Sequence, residues 1–192
     1  MSCHTLVFWL KIIRNGENGI MITTNCSYNT ISGNLIRGNA KWGIALFGNN
    51  VNNTNVYNNT IENNEVGIKL HQAPDTTIIN NNFIDNPRQF ASTWSGIPTL
   101  SDESTGGNHW SDWVPPEHPD EDNDGIVDEP RTIGSGVDNL PYVLPNGWAL
   151  NEPPVADAGP DQTVDAATID GADVILDGSG SSDADSDSLI YN

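Results

Sequence analysis

This sequence lacks the material for a membrane span, a nucleic-acid surface or a disulfide scaffold. No stretch approaches the roughly 18 apolar residues that a spanning helix requires. The Leu6 to Leu10 run stops at Lys11 and is too short even for the core of an export signal. Lys and Arg together number seven among 192 residues, against 26 Asp and Glu, for a net charge of −19. The bases are also unevenly placed: residues 1–100 hold six against five acids, whereas residues 101–192 hold Arg131 alone against 21 acids. Such a surface repels a phosphate backbone and attracts divalent cations, so no nucleic-acid partner is expected. The charge step near residue 100 marks a boundary between regions built on different principles. Two cysteines, Cys3 and Cys26, are too few to staple a small fold by themselves.

What the chain does have is a repeat. The pairs Gly19-Ile20, Gly43-Ile44 and Gly67-Ile68 recur every 24 residues, and each is followed two residues on by Ile22, Leu46 or Leu70. Further along each unit come Ile31, Val56 and Ile79, then Ile36, Ile61 and Ile84. Within a unit the apolar residues alternate at period two, which is a strand signal, and the segments are rich in Ile, Thr and Val but broken by Asn and Gly. Three short strands per turn, each stacked about 4.8 Å from its counterpart, make a parallel β-helix. Asn34, Asn59 and Asn82, with Asn39, Asn63 and Asn86, read as two further columns at the turns, where Asn tolerates left-handed backbone and bonds its equivalent one rung away. Cys3 and Cys26 lie 23 apart, each five residues before an apolar position, Phe8 or Ile31, so adjacent rungs bring them within disulfide range. Two small buried thiols would suit the same spacing.

The segments NTISGNLIRGNAKWGIAL, NTNVYNNTIENNEVGIKL and TTIINNNFIDN resemble the repeats of the carbohydrate-binding and sugar-hydrolase β-helix superfamily, including the periplasmic, copper-associated NosD group. The resemblance covers about residues 5 to 87. It implies a right-handed parallel β-helix and an extracellular or cell-surface protein, and it leaves function open, since one scaffold carries lyases, hydrolases, adhesins and inert stalks. Because the first unit begins mid-rung, the natural protein is expected to have more rungs and an export signal upstream.

An active site on this scaffold needs paired carboxylates, or carboxylates with a cation and a base, on one outward stripe. With Ile20 and Ile22 pointing in, the outward residues are Met21, Ala45 and Lys69 beside Thr23, Phe47 and His71. That stripe contains no acid, so no catalytic residue is assigned. Phe47, Lys69 and His71 are candidates for a glycan-binding surface, or simply surface residues. Copper would call for soft ligands or several imidazoles, and His4, His71, His109 and His118 sit in four unrelated contexts.

From Pro87 the repeat dissolves, and Phe90, Trp94, Trp110 and Trp113 arrive where the apolar columns end. They are placed either to plug the open core or to stack on sugars. The segment Asp120-Glu-Asp122-Asn-Asp124-Gly-Ile126-Val-Asp128 follows. Oxygen ligands at alternate positions, a Gly for the sharp turn and a backbone carbonyl at Ile126 suit Ca2+, and a solvated acidic linker is the alternative. The loop resembles those of dockerins and thrombospondin-type repeats more than an EF-hand, whose twelfth position would here be Arg131, and Asp138 is a candidate later ligand. The runs GGNHWSDW, DNDGIVDEP and DNLPY resemble the segment that closes NosD-like β-helices. Residues 151–192, with a Pro-rich start and the DGSGSSDADSDSLIY run, resemble the first half of a PKD domain, an immunoglobulin-like sandwich.

The expectation is therefore an all-β chain: β-helix repeats over 1–87 in three to four rungs, an aromatic cap and acidic calcium-binding linker over 88–150, and an incomplete PKD sandwich over 151–192. The expected role is an extracellular structural and binding module with carbohydrate as partner. The rival is the C-terminal part of a secreted polysaccharide lyase or hydrolase whose catalytic rungs lie upstream.

Overall fold

A computed structural model describes residues 4–93, 96–149, 155–161, 163, 165 and 177–182, and none of these is helical. The alternating segments form strands three to six residues long, grouped three to a turn. The first turn comprises β1 (Leu6–Phe8), β2 (Lys11–Ile13) and β3 (Ile20–Thr23), and the second β4 (Thr30–Ser32), β5 (Leu35–Arg37) and β6 (Trp42–Phe47). The third holds β7 (Asn55–Tyr57), β8 (Thr60–Glu62) and β9 (Val66–His71), and the fourth β10 (Thr77–Ile79), β11 (Asn82–Ile84) and β12 (Arg88–Thr93). Equivalent strands stack in parallel into three sheets: β1-β4-β7-β10, β2-β5-β8-β11 and β3-β6-β9-β12. The coil is a β-solenoid of about four turns.

It also runs past Pro87, where the repeat reads as ending. Strand β12 pairs with β9, Thr99 bridges to Thr77 in the first sheet, and β13 (His109–Trp110) adds a fifth strand to the second sheet. An antiparallel hairpin, β14 (Arg131–Ile133) and β15 (Gly136–Asp138), follows.

Inward columns fill the coil. Val7, Ile31, Val56 and Ile78 are register partners in the first sheet, and Ile12, Ile36, Ile61, Phe83 and Trp110 in the second. Ile20, Ile44, Ile68 and Phe90 align in the third. Most of the middle members have no exposure at all, so each contributes about 2 kcal/mol of apolar burial. Three expected column members need correction by one residue. The inward members are Ile78 rather than Ile79, Phe83 rather than Ile84, and Val7 rather than Phe8, which is 38% exposed. A slip of one residue turns a strand inside out, and packing settles it: Ile78 and Phe83 are fully buried.

The corners obey a two-residue rule. The first residue adopts left-handed backbone: Gly33, Asn58 and Asn80 between the first and second sheets, and Gly38, Asn63 and Asp85 between the second and third. The second is a buried Asn whose amide bonds the next turn. Asn34 Nδ2 donates to Asn59 Oδ1 at 2.9 Å, Asn59 to Asn81 at 2.9 Å and Asn81 to Asn108 at 3.1 Å. In the other ladder Asn39 donates to Asn64 at 2.8 Å and Asn64 to Asn86 at 3.1 Å. The expected members Asn82 and Asn63 are thus replaced by Asn81 and Asn64. Asn63 supplies the left-handed turn and Asn82 opens strand β11.

The chain divides into two compact units, Met1–Trp148 and Ala149–Asn192. In the second, Val155 bridges antiparallel to Ser182, and the Asp157 N–H donates to Ser181 Oγ at 3.0 Å. Much of the expected PKD half, including Asp183, Asp185 and Asp187, lies outside the described residues.

Candidate functional site

Two surfaces gather the residues that sequence singles out. The first is the outward face of the third sheet. Register aligns Met21, Ala45, Lys69 and Ala91 in one row, and Thr23, Phe47, His71 and Thr93 in the next. The Phe47 and His71 rings stack at 4.3 Å and 20°, and Trp42 stacks on Phe47 at 5.8 Å and 12°. Trp42 and Phe47 come from the two ends of β6, so they meet above it, and outward-pointing Ala45 has no exposure. Lys69 Nζ donates to Thr93 Oγ1 at 2.6 Å. Burial, and then the positive charge of Arg88, hold the Lys69 ammonium below its usual pKa. The face carries a three-ring stack and one cation, and its two rows hold no carboxylate.

The second surface is the acidic loop. Asp120, Asp122 and Asp124 each offer an oxygen within 4.8 Å of the others. The loop is wound by its own side chains: Asp120 accepts the N–H groups of Asp124 at 3.2 Å and Gly125 at 3.1 Å, and Asp124 accepts that of Ile126 at 2.8 Å. Asn123 and Gly125 turn it with left-handed backbone. Asp128 is not in the cluster, and its Oδ2 accepts the Glu121 N–H at 2.6 Å. Ile126 bridges antiparallel to Tyr142, which fixes its backbone away from free rotation.

Asp138 does not join the loop. It is fully buried at the end of the first Asn ladder, where its Oδ2 accepts the Asn108 N–H at 2.9 Å and the Trp110 indole N–H at 2.8 Å. It occupies the place of the next rung's Asn. Burial pushes its carboxyl above the ordinary range, against the opposing hydrogen bonds from Trp110, Asn108 and Leu140. The sequence shows only one more acid in an acidic stretch, and nothing local marks this role.

Of the four aromatics expected where the columns end, Phe90 and Trp110 are buried in the core and Trp113 packs partly against it; Trp94 lies outside the described residues. Trp110 lies flat on Phe83 at 4.3 Å and 8°. Arg131, the acidic half's single base, sits 4.7 Å above the Trp110 ring and forks onto Asp112 at 2.5 and 2.9 Å. Burial would raise the Asp112 carboxyl, and the Arg131 bonds and charge outweigh it, leaving the pKa below the ordinary value. Sequence reasoning missed this pair because its members are 19 residues apart with no motif between them.

Cys26 is disulfide-bonded. Its expected partner, Cys3, lies outside the described residues.

Residues 1–114 match the model of a family described as periplasmic copper-binding protein (NosD). The chain belongs to the NosD family. No curated protein and no solved structure matches it. The NosD match spans the coil through β13 and stops before the acidic loop. Among the described residues no helix is long and apolar enough to cross a membrane.

Among the described residues the donors do not fit the copper in the NosD description. His4 stacks on Tyr28, His71 on Phe47 and His118 on Trp113, while buried His109 donates from Nδ1 to the Tyr142 carbonyl at 3.0 Å. Cys26 is committed to its disulfide. Among the described residues, the group of three that could hold a metal is all carboxylate, a donor set for a hard cation rather than for copper.

Proposed function

We propose that this chain is a non-catalytic, extracytoplasmic structural and binding module: a β-helix platform that presents a carbohydrate-binding stripe and is stabilised by calcium. The stripe carries the reading. A flat sheet face that displays Trp42, Phe47 and His71 as a ring stack beside the Lys69 ammonium, with no acid in either row, suits adhesion to sugar hydroxyls and C–H faces rather than glycosidic cleavage. The family's periplasmic description and the Cys26 disulfide support a compartment outside the cytoplasm, since such bonds persist where thiols are oxidised. The cation assigned to Asp120, Asp122 and Asp124 is calcium rather than the family's copper, on the strength of the all-oxygen donors.

Two measurements test this. Binding of the purified chain to immobilised glycans should weaken in Phe47→Ala and His71→Ala; an unchanged glycan profile in both variants removes the stripe. Titration calorimetry with CaCl2 should give heat that Asp122→Ala and Asp124→Ala abolish, and a titration with Cu2+ should give none at this loop. Negligible calcium heat in the unaltered chain removes the cation site.

A further inference from the structure

Beyond the last coil strand, a cleft of about 450 Å3 lies between the 103–106 loop, Ile126, Leu140 and the Tyr142–Trp148 pair. Its size falls in the range of about 300–1,000 Å3 typical of small-molecule sites. One wall is aromatic. Tyr142 and Trp148 meet edge to face at 5.9 Å and 62°, an arrangement in which the ring that gives its edge keeps its own faces uncovered by the other.

The opposite rim is built of acceptors. Asp102 Oδ1 takes the Ser104 N–H at 2.9 Å, the Ser104 hydroxyl, and the Thr105 hydroxyl at 3.4 Å. With their protons committed to Asp102, the two hydroxyl oxygens face a ligand with lone pairs only, and the Glu103 carboxylate beside them also only accepts. The hydrogen bonds from Ser104 hold the Asp102 carboxyl below its ordinary range. The rim is preformed: reciprocal backbone bonds of 2.9 and 2.7 Å clamp Asp102 to Gly106. It is also seated on the aromatic wall, since a Cβ on Gly106 would overlap the Tyr142 hydroxyl.

We propose that this cleft binds a neutral pyranose residue of a glycan. A sugar offers both halves of the complement, several O–H donors for the acceptor rim and an apolar C–H face for the aromatic wall. The Glu103 carboxylate on the rim, with Asp102 beside it, turns away anionic sugars. The inference rests on the carbohydrate reading above but places the ligand on a different surface from the Phe47–His71 stripe.

The test is affinity electrophoresis of the full chain through gels containing starch, mixed-linkage β-glucan or galactomannan, with polygalacturonate as the anionic comparison. The expected result is retardation in at least one neutral gel and none in polygalacturonate. Measured in a chain that carries Phe47→Ala and His71→Ala, so that the stripe contributes nothing, Trp148→Ala and Thr105→Trp should each weaken it at least tenfold. Thr105 is exposed, so its indole variant fills the cleft without touching the core, and it decides the matter if Trp148→Ala fails to fold. Retardation that survives Thr105→Trp but is lost in the stripe variants overturns the cleft and leaves the stripe standing. Retardation in no neutral gel overturns both, and preferential retardation by polygalacturonate overturns the neutral assignment.

Discussion

Asn59 shows at the scale of one side chain what keeps the turns together. Its Nδ2 contacts the Ile31 and Tyr57 carbonyls and Asn81 Oδ1, each at 2.9 Å, and its Oδ1 accepts from the Asn34 backbone and side chain. Asn58 beside it does only the left-handed turning, with φ 54°. Identical residues therefore have different worth. Asn59→Ala strands several buried groups at about 1–3 kcal/mol each, so the urea midpoint should fall by an amount equivalent to about 3 kcal/mol or more. Asn58→Gly should cost a few tenths at most, because glycine takes the same conformation freely. Equal losses in the two variants would refute the division of labour. Asp138 gives a pH signature at the same scale. Its folded pKa is raised, so the native state holds this proton more tightly than the unfolded chain does. The associated stability is full below the unfolded carboxylate value and is lost as pH rises through the folded value. Asp138→Asn removes this titration, so the melting temperature of the unaltered chain relative to the variant should decline as pH climbs from 3 to 7. A relative melting temperature that rises over that interval contradicts the assignment.

Among the elements, the third sheet is tied most tightly to its neighbours by backbone proximity. Gly19, Gly43 and Gly67 stack so closely that a Cβ on Gly43 would meet the Gly67 carbonyl at 2.6 Å and Ile61 Cγ2 at 2.8 Å. Gly43→Ala must push rungs apart at an overpacking cost of about 1–3 kcal/mol, visible as a lower thermal midpoint, while Gly16→Ala, with open space around it, should be silent. The same glycines explain what was legible from sequence. A Gly-Ile pair is a rare marker, so the register of β3, β6 and β9 could be read directly. The stretch Thr76-Thr77-Ile78-Ile79-Asn80-Asn81-Asn82-Phe83-Ile84 offers two choices or more at every position, and matching Ile to Ile picks the wrong phase. Only the volume inside the coil distinguishes Phe83 from Ile84. The acidic cluster was visible because its members are local, whereas Asp138 and the Arg131–Asp112 pair act across 19 to 30 residues and leave no spacing to read.

For the coil as a whole, stability is a sum of rungs and of interfaces between neighbours, so whatever covers a terminal rung influences every rung behind it. Here the acidic loop is linked to that terminal rung by a short backbone route. Val127 N–H donates to the Pro141 carbonyl at 2.8 Å, Val143 N–H to the Gly125 carbonyl at 3.0 Å, and Tyr142 N–H to the Asn108 carbonyl at 2.9 Å, beside the parallel bridge from Tyr142 to His109 of β13. Three carboxylates facing one another within 4.8 Å repel, and a divalent cation both removes that repulsion and fixes the loop. Calcium at a hundred times its Kd stabilises the folded form by about 2.7 kcal/mol, which for a unit of this size is roughly 5–10 °C in Tm. The whole coil should gain that increment, because the bonded route carries the loop's order to Asn108 and thence to the ladder of Asn81, Asn59 and Asn34. A scan with calcium against one with chelator should thus shift the main unfolding transition, and Asp122→Ala with Asp124→Ala should abolish the shift without lowering the chelated midpoint. If calcium protects only the 119–128 amides from hydrogen exchange and leaves the coil's midpoint unmoved, the loop binds its ion without fastening the end of the solenoid.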